Sequence, residues 1–385
     1  MFFLTIDTNM AVIIQEVKTK WQLYKFVTFY NELYKDCEFA CPRLIFDEMN
    51  TFNRKKNPSY DVCESVEYLA YRDGKIVGRV AGIINRVANE RWGVNKVRFG
   101  WLDFIDDMEV SRALLDAVAR WGKSKGMNVL NGPVGFTDWD YEGLLIEGFE
   151  YLAPVASLYN FPYYQKHLEA YGLTKEADWI EYQFPKPHQV TERMARMAKI
   201  VAERSHVHIE KVHNPKELTE KFGMQYMDVL NAAYQKLYNF QPMTQRQKEY
   251  YRDMYFPLLN FDFVSIVANE QNECVAVGLG MPDISMAVRK CHGRLFPFGW
   301  YHILRALKAK QLERFDLLLI GVRPDYQDKG VTSLIMNDFV PYLKQYNVQI
   351  LETTSMLETN NKILSFFDGY ERKQHKRRRA YEKSI

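Results

Sequence analysis

The residues best placed to do chemistry lie between Leu317 and Thr332. An apolar run, Asp316–Val322, reads as a buried strand. It enters a turn, Arg323–Val331, which opens a helix predicted over Thr332–Gln345. Such a junction aims several free backbone N–H groups and the positive end of a helix dipole at one point, which suits a pyrophosphate. Gly330 lets an anion approach the backbone closely, and Lys329 adds a positive charge.

The elements that must hold this junction recur along the chain. In the first half, Val66–Arg72 and Ile76–Ile84 read as a hairpin, because Asp73-Gly74 suits a type I′ turn. Lys96–Phe104 is a further strand, and Val110–Gly126 is a helix with Leu114, Leu115, Val118 and Trp121 at helical spacing. In the second half Phe263–Ala268 and Val275–Gly280 pair in the same way, followed by the strand and helix above and by a strand at Gln349–Thr353. Each half closes on a helix, a glycine stop, a polar turn and a strand, at Trp179–Phe184 and at Arg377–Lys383. The two prolines of Phe184-Pro185-Lys186-Pro187-His188 forbid a helix, and the boundary between halves is placed there, giving 1–185 and 186–385. The expected fold is mixed α/β, two tandem lobes, each a twisted sheet flanked by helices.

Val322-x-Pro324 followed by Gln327-x-x-Gly330-x-Thr332 resembles the cofactor loop of the GNAT (Gcn5-related N-acetyltransferase) superfamily, with Thr where the family has Gly or Ala. Gly293–Gly299, Glu358-Thr359-Asn360, Asn131-Gly132-Pro133, Gly143-Leu144-Leu145 and Tyr159–Tyr164 resemble a two-lobed bacterial subgroup, related to bacterial ceramide synthases, over nearly the whole chain. The resemblance implies acyl-CoA or acetyl-CoA as co-substrate. It would place the pantetheine along Ile320 and Val322, and the rest of the cofactor at Gln327, Asp328, Lys329, Gly330, Val331, Thr332 and Asn360. The first half lacks this loop: Asp106, Asp107 and Glu109 stand there and would repel a pyrophosphate. That half is expected to wall the acceptor pocket.

Acylation of an amine requires a base for the amine and an acid for the thiolate. The Tyr that many GNAT enzymes use as acid is replaced by Ser365. Candidate bases are Glu352, Glu358, Asp138 and Asp140, each with a plain structural alternative; His302 reads as a packed histidine. A helix opening at Phe296–Trp300 carries Trp300, Ile303, Leu304 and Leu307 on one face and fits either docking on the core or contact with an acyl chain or anionic membrane. The basic run Lys373–Arg379 reads first as a solvated edge strand, with lipid headgroups or the CoA phosphate as alternatives. The rival functions are a Fem-type aminoacyl transferase and a non-catalytic acyl-CoA or lipid binder.

Composition narrows the class. With 385 residues, 47% hydrophobic and 15% aromatic, the chain can bury two cores; its net charge of +3 gives no general field for nucleic acid, and none is expected as a partner. Cys37, Cys41, Cys63, Cys274 and Cys291 are scattered and read as reduced thiols, not a metal site. Met1–Asp7 does not read as a leader, so a cytoplasmic protein is expected, at most peripheral at the inner face of the membrane.

Overall fold

The computed structural model describes residues 11–187 and 192–385, with the backbone alone at 192–194. Met1–Asp7 and His188 lie outside the described residues. The strands are β1 (Ile13–Glu16), β2 (Cys63–Arg72), β3 (Lys75–Asn85), β4 (Lys96–Phe104), β5 (Val129–Gly132), β6 (Leu144–Glu147), β7 (Thr174–Pro185), β8 (Val207–Glu210), β9 (Val264–Asn269), β10 (Cys274–Pro282), β11 (Arg314–Val322), β12 (Ile350–Thr353), β13 (Met356–Leu357) and β14 (Lys373–Ser384). They form one continuous sheet in the order β1-β2-β3-β4-β5-β14-β7-β12-β11-β10-β9-β8, with β6 beside β14 and β13 beside β7.

The mixed α/β expectation holds, and the local signals explain it. Asp73 and Gly74 both take positive φ, 51° and 73°, as a type I′ turn requires, and they join β2 to β3. Two helices pack on opposite faces of each lobe. Met108–Ser124 buries Leu114, Leu115 and Val118 on one face of β2–β4, and Lys20–Leu33 buries Phe26 and Val27 on the other. In the second lobe Thr332–Gln345 buries Leu334, Ile335, Phe339 and Leu343, while Gln225–Tyr234 covers the opposite face with Val229 and Leu230. Close approach of the helix to the sheet depends on glycine in both lobes. A Cβ on Gly78 would stand 2.8 Å from Leu114 Cδ1, and one on Gly278 would stand 2.1 Å from Ile335 Cγ2.

The two halves exchange their last strands. β7, from the first half, pairs with β12 of the second; β14, at the end of the chain, pairs with β5 of the first, and β7 and β14 pair with each other. This corrects the reading of Lys373–Arg379 as a solvated edge or a lipid-facing tail. The run lies mid-sheet, Lys376 and Arg378 are buried, and its cations from Lys376 to Arg379 are neutralised from within. Arg378 Nε donates to Glu181 (2.6 Å), Arg379 Nε to Asp178 (2.8 Å) and Lys376 Nζ to Glu352 (3.3 Å). A charge this deep persists only when paired, which is what the acids of β7 and β12 supply.

Candidate active site

β11 and β12 run parallel only over Arg314–Leu317 and Ile350–Thr353, and then diverge. The last ties across the gap come from Thr354, whose N–H donates to Leu317 O (3.2 Å) and whose hydroxyl donates to Leu318 O (2.8 Å). A bulge against β10 at this point shifts the register by one residue. Beyond it Arg323 N–H donates to Val275 O, so the intervening N–H and C=O groups of Ile320 and Val322 face away from β10, toward the open side. Ile320 O there accepts from the Tyr234 hydroxyl (3.1 Å), and Val322 O from Gln327 Nε2 (3.1 Å).

The turn after β11 leaves its donors free. The N–H groups of Asp328, Lys329, Gly330, Val331 and Thr332 have no partner among the described residues; the next, Ser333 N–H, turns back to Gly330 O (2.9 Å). Asp328 (φ 63°) and Gly330 (φ 79°) alternate with Lys329 and bend the backbone into a concave nest at the start of Thr332–Gln345. At Gly330 the backbone is strained for any side chain, and a Cβ would stand 3.1 Å from Val201 Cγ2. Asp328 is tied to Lys362 Nζ (2.7 Å), which places Asn360, at the start of the helix Asn361–Phe366, beside the same turn. Ser365, in the same helix, is exposed and donates to Lys362 O.

The first lobe repeats the geometry and fills it. β4 and β5 pair over Lys96–Arg98 and Val129–Asn131, and β3 meets β4 through a register shift like that of β10 and β11. Here the strand beyond the divergence is buried, and its end is bonded to tyrosines: Phe104 N–H donates to Tyr164 Oη (3.1 Å), and Tyr163 Oη donates to Phe104 O (2.5 Å). The helix amides are occupied as well. Asp107 Oδ1 accepts from Glu109 N–H (2.9 Å) and Val110 N–H (3.3 Å), while Arg72 pairs with Asp107 and Glu109. Asp107 and Glu109 thus serve the helix start and one arginine, while Asp106 meets His167 Nε2 (2.8 Å).

No family model matches the sequence. Two full-length relatives do: Protein YghO of Escherichia coli K12, 30% identical over 95% of this chain and 94% of that protein, and a bacterial ceramide synthase of Caulobacter vibrioides, 23% identical over 98% and 99%. The chain belongs to the YghO family. Its fold is that of tandem GNAT proteins. One from the clavulanic acid biosynthesis pathway superposes with a TM-score of 0.58 over 97% of this chain and 98% of that one, at 8% identity. A GCN5-related glucosamine N-acetyltransferase region in a fungal β-N-acetylglucosaminidase gives 0.56 over 98% of this chain and 38% of that one, at 12% identity.

The four candidate carboxylates fall into two environments. Glu352 is buried, accepts from Gln183 Nε2 (2.7 Å), and meets Arg314, Lys376 and, at 3.4 Å, His375 Nε2. Although burial pushes its pKa up, His375 and the Lys376 and Arg314 charges outweigh it and hold Glu352 far below the carboxylate range. Glu358 is bound by Lys175 (2.5 Å) and Arg377 (2.7 Å), and the Lys175 hydrogen bond leads in lowering its pKa. Both are anions locked to cations and cannot take a proton near neutral pH.

Asp138 and Asp140 differ. They lie in the half-buried loop Thr137–Glu142. Burial, reinforced by mutual repulsion, raises Asp138 to about 7, Asp140 to about 6 and Glu142 to about 8; Asp47, from another element, rises to about 6 for the same reasons. Asp138 Oδ1, Trp139 Nε1, Glu142 Oε1 and Asn239 Nδ2 are buried polar atoms without partners. With Glu142 and Asn239 close enough to interact with each other, these groups form a buried polar recess around one acidic loop. Burial, and next the Asp138 charge, raise the pKa of Tyr234, whose hydroxyl donates to Ile320 O on β11 (3.1 Å).

Tyr234, Asn239, Asp47 and Glu142 were not singled out in the sequence. Only the density of acids in Thr137–Glu142 was a signal, because the other partners come from separate elements. His302, on the helix Gly299–Leu307, is half-buried beside Tyr301. The five thiols are free, and no cluster of metal-ligating side chains occurs among the described residues.

Proposed function

We propose that the chain is an acyl-CoA-dependent N-acyltransferase, with one thioester held by the second lobe and an amine held in the recess around Asp138. The observation that carries this reading is the run of five unpartnered N–H groups, Asp328–Thr332, at the mouth of the only partly paired β11 and β12. These amides suit a pyrophosphate, and the outward groups of Ile320 and Val322 suit a pantetheine amide. In this reading residues 1–185 wall the acceptor and 186–385 carry the cofactor.

The amine attacks the thioester carbonyl as a free base. Its C–N bond forms, the C–S bond breaks, CoA leaves as the thiol, and the surplus ammonium proton passes to Asp138 Oδ1, the free oxygen of a carboxylate whose pKa of about 7 matches the task. Asp138 replaces Glu352 and Glu358 as the preferred base because one of its oxygens has no partner and they are clamped. The ceramide synthase relative favours a long-chain acyl group and a lipid amine.

The test is binding. Native mass spectrometry of the purified chain with CoA is expected to show one CoA per chain, and Gly330→Asp is expected to lower affinity by at least about 100-fold, from backbone strain and a carboxylate against the phosphates. Unchanged affinity in that variant overturns the site. Retained binding in the wild type with no turnover over a panel of amines leaves a non-catalytic acyl-CoA binder.

A further inference from the structure

Between Asp283 and Glu313 the sequence contains no acidic residue. It forms two short helices, Ser285–Lys290 and Gly299–Leu307, joined by an aromatic turn. The inner side is firmly seated: Ile303 and Leu307 are buried with Ile284, Val288 and Cys41, and Ile45 N–H donates to Gly293 O (3.0 Å). The outer side is unlike a soluble surface. Phe296 is 76% exposed, Phe298 71%, Tyr301 53% and Trp300 46%, and Met286 and Leu304 lie open beside them. Single exposed apolar residues are ordinary, but six from one 19-residue stretch, four of them aromatic, form a patch that a lone soluble protein rarely carries.

The charges around the patch say what covers it. Lys290, Arg294, Arg305, Lys308 and Lys310 are exposed, and none has a salt bridge or side-chain hydrogen bond among the described residues. Elsewhere on this chain exposed cations commonly pair, as Lys221 does with Glu210 and Glu217, or Lys362 with Asp328. We infer that the segment Met286–Lys310 docks the protein on an anionic lipid bilayer, the aromatic side chains entering the interface while the five free cations meet lipid phosphates. A protein partner would need acids placed to match these five cations, whereas a bilayer supplies phosphates at every position and apolar depth between them. The seat of the patch, residues 41–45, continues into the helix Ile45–Thr51. This inference stands whether or not the acyl-transfer reading does, because its readout is binding alone.

The experiment is co-sedimentation of the full chain with vesicles of phosphatidylcholine alone and of equal parts phosphatidylcholine and phosphatidylglycerol. Binding is expected to the anionic vesicles only and to weaken with added salt. Replacing Lys290 and Arg305 by Glu is expected to lower the partition coefficient by at least about fivefold per cation. The triple variant Phe296→Ser, Phe298→Ser, Trp300→Ser, at three exposed positions, is expected to abolish it while circular dichroism stays unchanged. Equal binding to neutral vesicles, no binding to either, or variants that bind like the wild type overturns the inference. So does a patch variant that dissociates a dimer in gel filtration without altering vesicle binding, since the cover is then a second copy.

Discussion

The two lobes share a strand order, a bulge and a helix that opens beside the end of the bulged strand, yet one holds an open cleft and the other is filled. In the second lobe β11 turns Ile320 and Val322 outward, and five amides stay free. In the first lobe Tyr163 and Tyr164 close the corresponding strand end, and Asp107 consumes the amides of Glu109 and Val110. The difference shows how one fold can leave the backbone groups of a strand end and helix start free or satisfy them from within. The polar backbone groups a cofactor would satisfy must be satisfied by something else, and side chains of the same lobe have taken the position.

This contrast can be broken at several points. The largest effect after Gly330→Asp is expected at Asp138. Asp138→Asn keeps shape and hydrogen bonding but cannot accept the proton, so kcat/KM should fall roughly 10²–10⁴-fold with CoA affinity unchanged. In the wild type the carboxylate is free to act only above about pH 7, so the rising limb near that pH should vanish in the variant. Full activity in Asp138→Asn moves the base to Asp140 or Glu142.

Glu352→Gln should act on stability instead. It leaves Arg314 and His375 without this anion and Lys376 with Glu181 alone, at a cost of about 3–5 kcal/mol. Because the folded pKa of Glu352 is depressed, its contribution is present above the ordinary carboxylate value and is lost as pH falls through the folded one. Denaturant titrations should therefore show the gap between wild type and variant narrowing in acid. A loss of turnover in a variant of wild-type stability would contradict the structural role.

In the first lobe, Tyr164→Phe strands Tyr34 Oη and the Phe104 N–H, and should cost about 1–3 kcal/mol. Native mass spectrometry should still show a single CoA, because the Asp107 cap remains; a second CoA would mean the tyrosine alone had closed that cleft. The smallest effect is expected at Glu142→Gln. The folded pKa of about 8 lies above the ordinary value, so the wild type loses stability as pH rises from about 4 through about 8. The variant should gain a few degrees in Tm over the wild type on the alkaline side and nothing in acid.

Much of this was legible in the residues. The hairpin at Asp73-Gly74, the helix Thr332–Gln345 and the glycine-bearing turn before it are local patterns, set by turn chemistry and periodicity within a few residues. The acidic counterpart at Asp106–Glu109 was also visible, and its charges do occupy the first lobe's helix start. Charge partners were not legible. Glu352 stands at the end of an apolar strand, where a catalytic carboxylate would also stand, and only the positions of Arg314, His375 and Lys376 reveal it as a counter-ion. Lys373–Arg379 misled for the same reason: a basic run is solvated unless acids from a distant strand reach it, and those acids are about 200 residues away in sequence.

The sequence by itself determined which segments become strands and helices, where the chain turns, and which half keeps a glycine cradle, because these follow from side-chain pattern and backbone freedom over short spans. The tertiary structure decided the exchange of β7 and β14, the bonding of the first lobe's strand end, the neutralisation of the central charges and the grouping of Asp138, Glu142 and Asn239. Those outcomes depend on groups far apart in the chain, and the energy of a buried charge or an unpaired polar atom is set by what stands within a few ångströms of it in space, which no local pattern records.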